Sequence, residues 1–105
     1  MNVICIPAYN EEVKIKDVIK KALPHADEVV VCDDGSSDNT AALAKKAGAT
    51  VVSHKTNQGY GAAISTLFDY CRKNNAEIMV TLDGDGQHNP DQIPDLISVI
   101  IKHNV

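Results

Sequence analysis

Short apolar, β-prone runs alternate with amphipathic helical patterns along the whole chain, and this alternation limits the possible folds more than any other feature. Val3-Ile4-Cys5-Ile6 reads as a strand that stops at Pro7. A helix is expected over Glu11–Leu23, with Asn10 as its cap, Val13, Val18, Ile19, Ala22 and Leu23 on one face, and Pro24 as its end. Glu28–Cys32 is an unbroken apolar strand, followed by a helix over Thr40–Ala47 capped by Ser37 or Asp38 and closed by Gly48. Thr50–Ser53 reads as a third strand. A third helix over Ala62–Lys73 carries Ile64, Leu67, Phe68 and Cys71 on one face, and Glu77–Leu82 is a fourth strand. A last helix is expected from Asn89 as cap and Pro90 at its first position, with Ile93, Leu96, Ile97, Ile100 and Ile101 as its apolar face.

Strands that are apolar on both sides and separated by helices imply a parallel sheet covered on both faces. Right-handed crossovers leave few arrangements. The expected fold class is α/β, a Rossmann-like three-layer sandwich with a mainly parallel sheet in strand order 3-2-1-4. A chain of 105 residues allows one small domain, so residues 1–105 are read as one unit. Ligands of such sheets bind outside the carboxyl ends of the strands, where the winding reverses. The segments after strands one, two and four are therefore expected to converge on one ligand.

Those three segments are polar. Strand one runs into Pro7-Ala8-Tyr9-Asn10-Glu11-Glu12, strand two into Asp33-Asp34-Gly35-Ser36-Ser37-Asp38, and strand four into Asp83-Gly84-Asp85-Gly86-Gln87-His88. In Asp83-Gly84-Asp85, glycines beside the two acids let the carboxylates turn toward one point. Such oxygen donors, with Gln87 as a neutral addition, suit magnesium or manganese, and a solvated, helix-capping loop is the alternative reading. An EF-hand calcium loop fails, because His88 and Pro94 stand where that loop needs Gly and Glu. Asp33 and Asp34, directly after a buried strand, suit hydrogen bonds from ribose hydroxyls or a base edge. Asn57-Gln58-Gly59-Tyr60-Gly61 is a weak dinucleotide signal, since Ile64 replaces the third small residue; as a loop before a helix N-terminus it could still approach a diphosphate. The sequence contains no P-loop pattern.

Taken together, Ile6-Pro7-Ala8-Tyr9-Asn10-Glu11-Glu12, Val30 to Thr40, Asn57 to Ala63 and Asp83-Gly84-Asp85-Gly86-Gln87-His88 resemble the family 2 glycosyltransferases in order and spacing. The Asp-x-Asp-x-Gln-His form looks most like the polyprenyl-phosphate (dolichyl-phosphate) mannosyl- and glucosyltransferase branch. The resemblance implies the GT-A fold, a GDP- or UDP-sugar donor, a lipid-phosphate or saccharide acceptor, and transfer with inversion at the anomeric carbon. It further implies that Pro7, Ala8, Tyr9, Glu11, Asp33, Asp34, Gly59 and Asp83 contact the nucleotide, and that Asp83, Asp85 and Gln87 bind a divalent cation, Mg or Mn. It also implies that the chain is the N-terminal, donor-binding part of a longer domain, with the acceptor site and any carboxylate base beyond Val105. A catalytically incomplete nucleotide-sugar-binding module is the alternative.

The remaining features bound partners and location. A net charge of −4 argues against nucleic acid as the main partner. No apolar run is long enough to span a bilayer, and Met1–Pro7 lacks a signal-peptide pattern, so a cytoplasmic protein, peripheral at most to the membrane face, is expected. Cys5, Cys32 and Cys71 fit reduced, buried thiols. An apolar last helix and an open edge beside strand four would favour self-association. His88 is read as a loop residue near the metal motif and His54 as a surface residue at a strand end. His25 and His103 are read as exposed, and Lys14, Lys16, Lys20 and Lys21 as a solvated helix face.

Overall fold

The computed structural model describes residues 1–82 and the backbone of a strand at 98–100. Its elements are β1 (Asn2–Ala8), α1 (Ile15–Ala22), β2 (Glu28–Asp33), α2 (Thr40–Ala47), β3 (Thr50–Ser53), α3 (Tyr60–Lys73), β4 (Ile78–Thr81) and β5 (Ser98–Ile100). The sheet order is β3-β2-β1-β4-β5. The first four strands are parallel, as the apolar runs required, and β5 joins antiparallel to β4.

Period-two alternation distributes each strand between two cores. Ile4, Ile6, Ala8, Val29, Val31, Val80 and Leu82 pack with Ile15, Val18, Ile19 and Ala22 of α1 and Ala44 of α2. On the opposite face, Val3, Cys5, Val30, Cys32 and Met79 pack with Ala63, Leu67 and Cys71 of α3. All three cysteines are free, buried and on this second face. The Sγ atoms of Cys5 and Cys71 lie 3.5 Å apart, and the hydrogen bond to Cys71, together with burial, pushes the Cys5 thiol well above its ordinary range. At the other end of the sheet, Glu28 accepts from Tyr70 Oη at 2.7 Å and Thr50 Oγ1 at 2.8 Å, tying α3 and β3 to the start of β2.

Several boundaries differ from the expected ones. β1 does not stop at Pro7 but runs to Ala8, with Pro7 opposite Cys32. The Cys5 carbonyl accepts from Leu82 N on the β4 side, and the Ala8 carbonyl accepts from Asp34 N on the β2 side. By alternation the Pro7 nitrogen faces β4, and its missing N–H falls where the β1–β4 register ends, after the pair Cys5 with Thr81. α1 starts at Ile15 rather than Glu11; it ends at Ala22 with Leu23 as its C-cap, just before Pro24 as expected, and Pro24 lies in a 3-10 turn over Leu23–His25. In α3, Phe68 is 38% exposed, so the buried face is Ala63, Leu67 and Cys71.

The expected last helix is contradicted at Ser98–Ile100, which pairs as a strand with Ile78–Val80. The β-branched run Val99-Ile100-Ile101 suits an extended chain, and pairing with the otherwise open β4 edge outweighs helical spacing. That edge is therefore covered along Ile78–Val80, and the open edge expected beside strand four is not found there. The rest of the expected helix, from Asn89 and Pro90 through Ile97, and Ile101 and His103 beyond β5, lie outside the described residues.

Leu67 is fully buried between α3 and the sheet. Replacement by Ala is expected to cost about 3 kcal/mol in urea-unfolding measurements, whereas Lys21→Ala on the exposed side of α1 should stay within about 0.5 kcal/mol.

Candidate functional site at the carboxyl ends of the strands

The loop after β1 is sewn to the loop after β2. Asn10 adopts a positive φ of 53°, which Asn tolerates better than most residues. Its side-chain oxygen accepts from Ser37 N at 2.9 Å and Ser37 Oγ at 3.3 Å, while its own N–H donates to Ser36 Oγ at 2.9 Å. Glu11 N donates to Thr40 Oγ1 at 2.9 Å and Glu12 N to Asp38 Oδ2 at 3.3 Å; in return Asn39 N donates to Glu12 Oε2 at 3.1 Å. These cross-loop bonds explain the late start of α1. Asn10 is not its cap, because its side-chain oxygen serves Ser37 in the second loop rather than the amides that follow it, and the N-cap is Lys14. The N-cap of α2 is Asn39, without a side-chain cap bond, rather than the expected Ser37 or Asp38; Asp38, one residue earlier, accepts Thr40 N at 3.0 Å.

The loop after β2 is joined in turn to the segment between β3 and α3, and Asp34 makes the joint. The residue is 4% exposed. Its Oδ1 accepts from Gln58 N at 2.9 Å and lies 2.7 Å from His54 Nδ1; its Oδ2 accepts from Gly59 N at 2.9 Å. Asn57 Nδ2 adds a bond to the Asp34 carbonyl at 3.3 Å. Burial alone would raise the Asp34 pKa, but the bonds from His54, Gln58 and Gly59 outweigh it and hold the carboxyl below its ordinary value. Asp38 behaves alike: burial opposes ionisation, and bonds from Thr40 and Glu12 win.

Gly35 makes this junction possible. Its φ is +74°, and a Cβ there would lie 2.5 Å from the backbone of Asn57 and Thr56. No side chain fits between the two segments.

His54 is not the surface residue expected. Its side chain is 10% exposed, and it bridges Asp34 on one side and Thr66 Oγ1, at 2.8 Å, on the other. The strand register accounts for this: Asp33 faces Ser53, so the next residue, His54, stands beside Asp34. His25 is exposed, as expected. Cys32, with its Sγ 3.7 Å from His54 Nε2, is pushed up to about 11 by burial and by the Asp34 and Asp33 charges.

Of the expected nucleotide-contacting residues, Pro7, Ala8, Tyr9, Glu11, Asp33, Asp34 and Gly59 lie on these three joined segments. Tyr9 is 46% exposed, and Asp33, buried at 6%, accepts Ser36 N at 3.2 Å. Gly59 has open space beside its α-carbon, but its N–H, like that of Gln58, is spent on Asp34 and is not free for a diphosphate. Asp83, Asp85, Gln87 and His88 lie outside the described residues. Among the described residues no cluster of three or more His, Cys, Asp or Glu side chains could hold a metal ion, and no helix is long and apolar enough to cross a membrane.

An α/β sheet in this order, with acids gathered beyond the ends of β1 and β2, is the architecture of the GT-A nucleotide-sugar transferases. The chain belongs to glycosyl transferase family 2, whose model matches residues 3–105. It is 35% identical to a UDP-N-acetylglucosamine–dolichyl-phosphate N-acetylglucosaminyltransferase of Methanococcus voltae, over 94% of this chain and 47% of that protein. It is 37% identical to an undecaprenyl-phosphate 4-deoxy-4-formamido-L-arabinose transferase of Pseudomonas fluorescens, over 90% and 30% respectively. Among solved structures, glucosyl-3-phosphoglycerate synthase of M. tuberculosis superposes with a TM-score of 0.73 at 32% identity, covering 90% of this chain and 38% of that one. A second structure of that synthase, in complex with Mn2+, UDP-glucose and phosphoglyceric acid, gives 0.68 at 28% identity, covering 90% and 36%. The chain thus spans less than half the length of these relatives.

Two outcomes follow from the junction. Gly35→Ala should destabilise the fold by about 2 kcal/mol or more, read by thermal or urea unfolding. Because the Asp34 and Asp38 pKa values are depressed in the folded state, their contribution is complete above about pH 4 and is lost as the pH falls through the folded values. Unfolding midpoints should drop on acidification below that point, and drop less steeply in Asp34→Asn.

Proposed function

We propose that residues 1–105 form the nucleotide-sugar-binding part of a single GT-A domain, whose whole protein transfers a sugar from a GDP- or UDP-sugar to a polyprenyl phosphate with inversion. The observation that carries this reading is the joining of the β1, β2 and β3 loops at the carboxyl edge of the sheet, around Asp33 and Asp34. The relatives named for dolichyl and undecaprenyl phosphate support the acceptor class. Such an acceptor sits in a bilayer, so the protein would work as a peripheral protein at a membrane face.

The chemistry divides among the residues as follows. An ionised carboxylate offers about four acceptor sites. Among the described residues, Asp34 fills two on Oδ1 and one on Oδ2, which leaves a single site there for a ribose hydroxyl or base N–H. Asp33 has more capacity among the described residues, where Ser36 N takes one of its sites. Pro7, Ala8, Tyr9, Glu11 and Gly59 would form the walls, with exposed Tyr9 able to lie against a base. Asp83, Asp85 and Gln87 offer the hard oxygen donors that Mg or Mn takes, with Asp83 also near the nucleotide. Such an ion would neutralise charge developing on the departing nucleoside diphosphate. Neighbouring structures solved with Mn2+ or Mg2+ and UDP support a divalent ion. A phosphate acceptor is already an anion and needs no general base at the attacking oxygen.

Calorimetric titration with GDP and UDP, with and without manganese, tests the reading. Metal-dependent binding that Asp83→Ala or Asp85→Ala reduces at least tenfold is expected; absence of any nucleotide binding would overturn it. Turnover of the bound donor with a short-chain polyprenyl phosphate by the full-length protein then separates an enzyme from a binding module.

A further inference from the structure

The group that sets the state of the Asp34 carboxylate is His54. An ionised carboxylate only accepts hydrogen bonds, so the contact of 2.7 Å to His54 requires the proton on Nδ1. In the neutral ring Nε2 must then accept, and two donors face it. One is the Thr66 hydroxyl at 2.8 Å; the other is the Cys32 thiol at 3.7 Å. The tautomer is thus fixed from both sides of the ring, by α3 and β2 on one side and by the loop after β2 on the other. Both partners are nearly enclosed, at 10% and 5% side-chain exposure, so water offers little competition for these bonds.

We propose that His54 is a positioning residue of the nucleotide site. Its Nδ1–H holds the Asp34 carboxylate in the orientation that grips both Gln58 N–H and Gly59 N–H and, among the described residues, leaves an acceptor site on Oδ2 for the nucleoside. Were the ring to turn, the carboxylate would lose a charge-assisted bond and could rotate, releasing the two amides and presenting a different oxygen. His54 itself touches neither nucleotide nor reacting atoms in this scheme; it acts through Asp34. The last step, toward the nucleoside, rests on the nucleotide reading above, whereas the grip on the two amides rests on geometry alone.

Two replacements separate position from packing. In His54→Asn the amide nitrogen replaces Nδ1 and keeps a donor toward Asp34. In His54→Gln the longer side chain carries its amide to the Nε2 end, toward Thr66, and Asp34 loses that donor. The readouts are amide hydrogen exchange at Gln58 and Gly59 by NMR, and titration with GDP and UDP in the presence of manganese. His54→Asn should keep protection and affinity within about threefold of the parent. His54→Gln should lower protection at those two amides by about tenfold, more than across β1 or β2, and weaken nucleotide binding by a similar factor. Thr66→Val, which removes the donor to Nε2 while preserving shape, should shift the same two amides in the same direction by a smaller factor. Equal behaviour of the Asn and Gln variants, or a uniform loss of protection over the whole chain, would overturn the proposal. If the two amides respond as described but even the parent binds no nucleotide, the positioning role stands and the nucleotide reading falls.

Discussion

A negative charge enclosed by protein is tolerated only when donors replace the water it has lost, and at Asp34 those donors come from a different part of the chain. Gln58 N, Gly59 N and His54 Nδ1 all belong to the segment between β3 and α3. Left unpaired, a charge at 4% exposure would cost several kcal/mol; paired, it becomes a staple between two loops. The staple needs close contact, and Gly35 permits it by presenting no Cβ to the backbone of Thr56 and Asn57. Charge, glycine and histidine therefore depend on one another, and removing any one leaves the others unsatisfied or strained.

The same logic shapes the other half of the edge. Asn10, Ser36, Ser37, Asp38 and Thr40 exchange bonds between the β1 and β2 loops, so three consecutive connections form one continuous surface without a ligand. A surface built in advance spends less conformational entropy on binding than one that must be ordered by its ligand. It also places Asp33 and Asp34 at the carboxyl end of β2, one strand from the change of winding between β1 and β4. The fold supplies the location; the polar side chains supply the rigidity.

Much of this was legible in the residues. Apolar runs broken by helical patterns gave the order of the first four strands, and Gly48 and the β-branched Thr50–Ser53 run gave correct limits for α2 and β3. What escaped was information carried between distant segments. The start of α1 depends on donors that serve Ser36, Asp38 and Thr40, more than twenty residues away in sequence, which periodicity cannot register. Ser98–Ile100 obeys the hydrogen-bonding demand of β4 rather than its own apolar spacing. His54 looked like a surface residue because β3 is short, yet strand register sets it against Asp34.

The bookkeeping of donors also argues for the division of the site. A nucleoside diphosphate would bring negative charge to an edge that already carries Asp33 and Asp34, in a chain of net charge −4. Free amides at a helix N-terminus often balance such charge, but here the Gln58 and Gly59 amides are committed to Asp34. Under the proposed function, the described edge offers acceptors to the nucleoside, while the Gln58 and Gly59 amides are not available to the diphosphate. Balance for the phosphates would then come from other groups, and the segment after β4, next in the sheet order, carries Asp83 and Asp85 together with His88. Acids can answer a phosphate only through a cation held between them. Under the proposed function, a divalent ion held by Asp83 and Asp85 would supply the positive charge that the committed Gln58 and Gly59 amides do not.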